Sequence, residues 1–284
     1  MRRATAVAWL NRYYLEQRLG LLDELDRENR LFASMVQAQL VAGRGVPADA
    51  LMPGQEAVGL ADRRDELLAD IIKAKAALRR HVGAAGDERL AATAPVLAID
   101  AGHLRTYVHE HPELAVFAPL RDAAQAELRE AQAARRPDWG LELAFARRGP
   151  EFSDMVSAQV TIGLPLFSGS RQDPLIAAKR HALGRVDAER ETMLRDHVAR
   201  LEADLADEQS LQRQLMRLKT TGLSLAQQKV DLQLASYQAG TGDLNSVLAA
   251  RRELVETRLR SIDLETRHAA IAASLYFAYG EGSL

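Results

Sequence analysis

Four residues near the middle of the chain could bind a divalent metal. His109 and His111 are separated by one residue and lie beside Glu110 and Glu113, so imidazole nitrogens and carboxylate oxygens occur together. A closed metal site needs three or four convergent ligands, and the sequence shows no partner cluster. His111 directly precedes Pro112, a pair typical of the start of a helix. We therefore predict the start of a helix here and no metal site.

The rest of the sequence has few residue patterns typical of catalysis or of cofactor binding. The 284 residues contain no cysteine, which excludes disulfides, cysteine-ligated zinc, iron–sulfur clusters and thiol catalysis. No nucleophile–base arrangement, phosphate-binding loop or pair of catalytic carboxylates is evident. The net charge of −2 provides no basic field for nucleic acid. We therefore predict a protein that is not an enzyme, needs no cofactor and does not bind nucleic acid.

Helical periodicity accounts for most of the chain. Apolar residues are 47% of the sequence and aromatic residues 5%, with many Ala and Leu, which favours a mostly helical fold. Asp49 and Asp173 are predicted helix N-caps, each followed by a proline in the first turn. A spacing of three and four residues predicts antiparallel coiled-coil hairpins, with one helix on the order of 100 Å long. The predicted helices cover 4–42, 50–82, 112–136, 174–239 and 244–279.

The period changes to two residues after Pro137. Apolar residues alternate with small or polar residues in two runs of about ten residues, separated by a Gly-Pro turn. This pattern predicts a β-hairpin within 138–168 that has one apolar face. The apolar face consists of Trp139, Leu141, Leu143 and Phe145 on the first strand, and of Val156, Ala158, Val160, Ile162 and Leu164 on the second.

The chain matches itself at an offset of 197 residues. Ala42-Gly43-Arg44-Gly45 aligns with Ala239-Gly240-Thr241-Gly242, and Gly83 aligns with Gly280, without a gap. We predict an incomplete first repeat over 1–83, a linker over 84–102, and a second repeat over 103–284 with a long helical hairpin at 174–280. By this arithmetic the first helix and hairpin of the first repeat are missing, which predicts an N-terminal truncation or a naturally incomplete unit.

These features resemble a known family. The order of helix, β-hairpin, very long helix, glycine-rich turn and returning helix is similar to the TolC-like outer-membrane efflux family. Several motifs are similar to its heavy-metal, CzcC/CusC-like branch. They are Pro137-Asp138-Trp139, Arg148-Gly149-Pro150, Phe152-Ser153-Asp154-Met155-Val156-Ser157, Leu164-Pro165-Leu166-Phe167 and Arg171-Gln172-Asp173-Pro174.

The resemblance implies a homotrimeric, passive channel for heavy-metal cations. Its β-hairpins contribute to a shared outer-membrane β-barrel, and its helices form an α-barrel tunnel through the periplasm. The turns would contact a periplasmic adaptor and an inner-membrane resistance–nodulation–division (RND) pump. The implied contact residues are Gly43, Arg44, Gly45, Asp49, Leu51, Gly240, Thr241, Gly242, Asp243 and Leu248. The implied lipid-facing residues are Trp139, Leu141, Leu143, Phe145, Val156, Val160, Ile162 and Leu164.

The residues are consistent with this assignment but leave two alternatives open. A strand of about 9–11 residues can cross a bilayer, and a spanning sheet must close into a barrel. One hairpin therefore needs strands from other chains and, on the family pattern, the missing hairpin of the first repeat. The N-terminus shows no export signal, because Asn11 and Arg12 interrupt the apolar run from 4 to 10. A soluble coiled-coil scaffold would fit the helices, and a periplasmic adaptor would fit one long helical hairpin.

Overall fold

A computed structural model of the chain describes residues 2–43, 46–147 and 149–279. Within these residues the fold is mostly helical, with one two-stranded antiparallel sheet. The helices are α1 Arg2–Val41, α2 Met52–Val82, α3 Ala101–Tyr107, α4 Pro112–Ala115, α5 Phe117–Ala133, α6 Gln172–Arg217, α7 Leu223–Gln238 and α8 Leu244–Tyr279. The strands are β1 Asp138–Ala146 and β2 Met155–Gly163. The predicted fold class, long antiparallel helical hairpins with one β-hairpin, is confirmed.

The chain divides into two compact units. The first unit comprises Met1–Tyr107 together with Arg200–Leu284, and the second comprises Val108–Ala199. Four predicted or motif positions, Arg44, Gly45, Arg148 and Gly280, lie outside the described residues. No helix in the described part of the chain has both the length and the apolar stretch required to cross a lipid bilayer.

The core of the first unit lies between long helices. α1 packs against α2 and α8, and α7 packs against α8. One buried cluster joins α1, α2 and α8 through leucine, isoleucine and valine side chains at helical spacing, as expected for amphipathic helices. The cluster consists of Leu22, Leu25, Leu60, Leu67, Ile71 and Val255.

We expect Leu25→Ala to lower the free energy of unfolding of the isolated chain by about 2–5 kcal/mol, because it removes a buried side chain and leaves a cavity. Leu25 is 2% exposed. Leu31→Ala is the matched control on the same helix: Leu31 is 72% exposed, so its loss should cost no more than about 0.5 kcal/mol. Urea unfolding measures both values, and equal costs would contradict this packing.

Several helix boundaries differ from the sequence prediction. Asp49 is not the N-cap of the second helix, because a 3₁₀ segment, Pro47–Leu51, precedes α2. Asp173 is not an N-cap either: α6 begins at Gln172, and the Asp173 carboxylate pairs with Arg135. The predicted helix over 112–136 divides into α4 and α5. Pro119 lies in the first turn of α5. In an uninterrupted helix its ring would clash with the carbonyl four residues earlier, which accounts for the break.

The longest predicted helix is present with one irregularity. α6 and α7 together cover 172–238, close to the predicted 174–239, but a π-helical turn at Leu218–Gly222 separates them. A π-turn inserts an extra residue into the helical repeat and so shifts the phase of its apolar face.

Candidate functional site

The turn after α1 has a backbone conformation that favours glycine. Gly43 has a φ of +73°, and its amide donates to the Leu40 carbonyl at 3.0 Å. Residues other than glycine are strained in this left-handed backbone conformation. The constraint is not one of space, because a Cβ at this position would meet no atom within 4 Å. The constraint on Gly43 is therefore one of backbone conformation rather than of space.

The turn after α7 repeats this geometry. Gly240 has a φ of +75°, and its amide donates to the Tyr237 carbonyl at 3.0 Å. The amides of Thr241 and Gly242 both donate to the Ser236 carbonyl at 3.0 Å, which completes a Schellman motif. A Cβ on Gly242 would lie 3.0 Å from the Ser236 Cβ, so a larger residue here would crowd the end of α7.

Asp243 begins the returning helix. Its carboxylate accepts hydrogen bonds from the Ser246 hydroxyl at 2.8 Å and the Ser246 amide at 3.0 Å. This is the N-cap arrangement of α8. The two bonds from Ser246, the hydroxyl first, hold the pKa of Asp243 below its ordinary value.

We expect Ser246→Ala to raise the pKa of Asp243 toward that of an ordinary carboxyl, because the larger of these two contributions is lost. A lowered folded-state pKa stabilises the protein above the unfolded-state pKa, and that stabilisation is lost as the pH falls through the folded-state pKa. Titration of the Asp243 carboxyl by NMR measures the shift. Ser224→Ala, on α7 and bonded to Gln228 instead, is the control. An unchanged pKa of Asp243 in Ser246→Ala would show that the Ser246 hydroxyl does not lower it.

The structure brings the two turns together. A buried cluster of Phe32, Val36, Leu244 and Val247 packs with Leu40, Met52, Tyr237 and Leu248, which flank both turns. Asp49 lies near Tyr237, whose pKa is raised by burial and then by the Asp49 charge. The Asp49 carboxylate accepts from the Val46 amide at 3.1 Å. The sequence-predicted residues of both turns therefore share one surface, which we call the turn surface.

The turn surface exposes apolar side chains beside its glycines. Val41 is 81% exposed and Leu51 is 69% exposed, while Leu248 is half-buried against the cluster below. Exposed apolar groups grouped at a structured turn are typical of a surface that contacts another protein. We define the turn surface by the predicted turn residues that the structure describes, namely Gly43, Asp49, Leu51, Gly240, Thr241, Gly242, Asp243 and Leu248.

The hairpin places the predicted apolar residues of both strands on one face. Trp139 pairs with Ile162, Leu141 with Val160, Leu143 with Ala158 and Phe145 with Val156, so these residues share one face. The opposite face pairs Gly140 with Thr161, Glu142 with Gln159 and Ala144 with Ser157. Leu164 follows directly after the end of β2.

The apolar face of the hairpin is uncovered. Leu141 is 60% exposed and Leu143 is 70% exposed, although both lie in the middle of a regular strand. All the other predicted lipid-facing residues are also exposed, namely Trp139, Phe145, Val156, Val160, Ile162 and Leu164. A continuous apolar sheet face in water is unfavourable, so this face needs another apolar surface or lipid against it.

One member of a polar cluster, His197, was missed by the sequence analysis. His197 on α6 lies close to His111 and Glu113, although it is far from them in sequence. His197 falls three residues after Leu194 and four before Leu201, on the apolar side of its helix. The helical spacing indicates that His197 is buried, but it does not indicate which residues it contacts.

Comparison with known proteins identifies relatives. Residues 105–281 match the family described as "Outer membrane efflux protein", whereas no curated protein matches the chain. The fold is similar to CusC, with a TM-score of 0.85 and 22% identity over 97% of this chain and 67% of that chain. It is also similar to a membrane protein from Pseudomonas aeruginosa, with a TM-score of 0.84 and 18% identity over 98% and 67%. VceC from Vibrio cholerae has a TM-score of 0.79 and 18% identity over 98% and 68%.

Proposed function

The chain belongs to the outer membrane efflux protein family, and from this premise we propose that it is the outer-membrane channel subunit of a tripartite efflux system. In this role it is a passive conduit from the periplasm to the exterior, and it performs no catalysis. Family membership favours this role over a soluble scaffold or a periplasmic adaptor.

The uncovered face of the hairpin is the observation that carries the proposal. Each strand has nine residues, which matches the length needed to cross a bilayer at a tilt. Apolar residues on one face and small or polar residues on the other are the pattern of a strand between lipid and a water-filled lumen. Two strands cannot form a closed barrel, so the proposal includes a homotrimer in which the hairpins of several chains combine.

The turn surface supports the proposed contact with an adaptor and an RND pump. Both glycines adopt the left-handed conformation, so the chain reverses direction tightly at each turn and leaves the side chains beside it exposed. We propose that the periplasmic adaptor contacts this surface through Val41, Leu51 and the backbone of Thr241.

We further propose that the exported substrate is a heavy-metal cation. The support is the likeness of the hairpin motifs, such as Phe152-Ser153-Asp154-Met155, to the heavy-metal branch of the family. A conduit must release its substrate, so we expect selectivity to reside in the inner-membrane pump rather than in this chain.

Disruption of the gene tests the function and its substrate together. The growth of the mutant is measured against zinc, cadmium, cobalt, copper and silver salts and against a panel of hydrophobic antibiotics. We expect greater sensitivity to one or more metals, restored by the gene supplied in trans. Sensitivity to antibiotics alone would refute the proposed substrate, and unchanged growth under every condition would refute the efflux role.

A further inference from the structure

Three side chains with metal-binding atoms meet within the second unit. His111, Glu113 and His197 each offer one ligand atom, and these three atoms all lie within 4.8 Å of one another. The His111 and His197 rings are 4.1 Å apart between centroids, with 33° between their planes. The His197 Nε2 atom lies 3.2 Å from the Glu113 Oε2 atom.

The three residues come from two segments of the chain, the start of α4 and the buried side of α6. His111 is the N-cap of α4, and Glu113 lies in the first turn of the same helix. His197 comes from α6, and its side chain is only 4% exposed. A buried polar side chain must be satisfied by specific partners, so the position of this imidazole is set by the packing of the second unit.

We propose that His111, Glu113 and His197 bind one divalent transition-metal ion of borderline softness, such as Zn²⁺. Two imidazole nitrogens with one carboxylate oxygen suit zinc, cobalt or nickel, whereas calcium and magnesium prefer oxygen ligands alone. Solvent completes a four-coordinate site. A bound ion would join the chain around α4 to α6. The site is independent of the proposed transport function, since it rests only on the geometry of the second unit.

The distances require little movement. Ligand atoms about 2.0–2.1 Å from a tetrahedral zinc ion lie about 3.3 Å from one another. The pair formed by His197 and Glu113, at 3.2 Å, already has this separation. His111 is half-buried and the Glu113 side chain is 62% exposed, so rotation of these two side chains can close the remaining gap toward the fixed His197 ring.

Metal binding competes with a helix cap. The His111 Nδ1 atom accepts a hydrogen bond from the Glu113 amide at 3.2 Å. A neutral imidazole carries one proton, so it cannot bind a metal through either nitrogen and still accept this bond. The ion therefore replaces the cap at His111, and the start of α4 changes its hydrogen bonding when metal binds.

The site is accessible from solvent. His111 also lines a surface cavity of about 400 Å³. Arg121 and Asp187 line the same cavity and form an ion pair at 2.9 Å, which offsets the positive charge of Arg121. A hydrated cation can therefore reach His111 from the cavity, and the side chains packed against α6 need not move to admit it.

Titration of the full chain with Zn²⁺ by calorimetry tests the site. We expect one ion bound per chain, and we expect Glu113→Gln and His197→Gln each to weaken binding at least tenfold. Glu113 is exposed, so Glu113→Gln should not disturb the fold, and circular dichroism checks this for both variants. His109→Ala is the matched control, because His109 is exposed, two residues from His111, and outside the cluster.

A second probe reports the ligands directly. Co²⁺ bound by nitrogen and oxygen in four-coordinate geometry gives intense visible absorption bands, which we expect for the unmodified chain and for His109→Ala but not for His111→Ala. No zinc binding by the unmodified chain would overturn the proposal. Binding that persists unchanged in folded Glu113→Gln and His111→Ala would also overturn it.

Discussion

Replacing Leu141 with arginine is expected to prevent stable insertion of the protein into the outer membrane. Leu141 lies near the middle of β1 on the apolar face and pairs with Val160. A positive charge that faces lipid near the midplane of the bilayer costs about 2–4 kcal/mol in each chain. Outer-membrane fractionation of cells that carry the change at the native locus measures the result, as does the yield of trimer on unheated gels.

Glu142→Arg is the matched control for this change. Glu142 is the next residue and points to the opposite face, where it pairs with Gln159. An arginine there would face the aqueous lumen, so the membrane fraction should be close to that of the unmodified protein. If Glu142→Arg is lost from the membrane as fully as Leu141→Arg, the assignment of the two faces is wrong.

Replacing Gly240 with valine is expected to weaken adaptor contact and efflux while leaving membrane insertion intact. A β-branched residue at a φ of +75° is strained by about 1–3 kcal/mol. The turn can relieve this strain only by giving up its hydrogen bonds to Tyr237 and Ser236. A photoreactive residue in place of Thr241 reports the contact through crosslinking to the adaptor.

Gly240→Asn is the control that removes the glycine without the backbone strain that valine introduces. Asparagine tolerates the left-handed conformation, and a Cβ at this position meets no atom within 4 Å. We therefore expect crosslinking and resistance to be largely retained in Gly240→Asn. Full crosslinking in Gly240→Val would instead show that the turn is only a connection between two helices.

The hairpin and the turns were predictable because their signals are local. The alternation from Trp139 to Phe145 fixes which side chains share a face, and a shift of one residue in the register would have mixed the two faces. Gly43 and Gly240 each follow a long apolar repeat, where the left-handed conformation of a helix end favours glycine. The structure gives both glycines a positive φ.

The helix boundaries failed where two local signals competed. Asp49 has the residue type of an N-cap, but Pro47 begins a 3₁₀ segment before it, and the carboxylate of Asp49 accepts the Val46 amide instead. Pro119 also carries a breaking signal, but the apolar periodicity on both sides concealed the interruption at Val116. In both cases the prediction followed a residue type or an apolar periodicity and gave too little weight to a nearby proline.

The cluster around His197 was beyond sequence reasoning because it depends on tertiary packing. His111 and His197 come together only when α6 packs beside the segment that contains α4, and no periodicity specifies that alignment. The expectation that no metal site forms near His111 rested on the absence of a further ligand nearby in sequence. That expectation took no account of residues distant in sequence, and the structure places His197 beside His111 and Glu113.

Solvent accessibility of single cysteines tests the central claim, an outer-membrane hairpin between lipid and a lumen, most directly. The sequence has no cysteine of its own, so Leu143→Cys and Gln159→Cys each give one defined label site on opposite faces of the sheet. A charged maleimide that cannot cross membranes is added to intact cells. We predict that Gln159→Cys reacts from the aqueous lumen and that Leu143→Cys is protected by lipid. Equal labelling of the two cysteines, or recovery of the protein outside the membrane fraction, would contradict the claim.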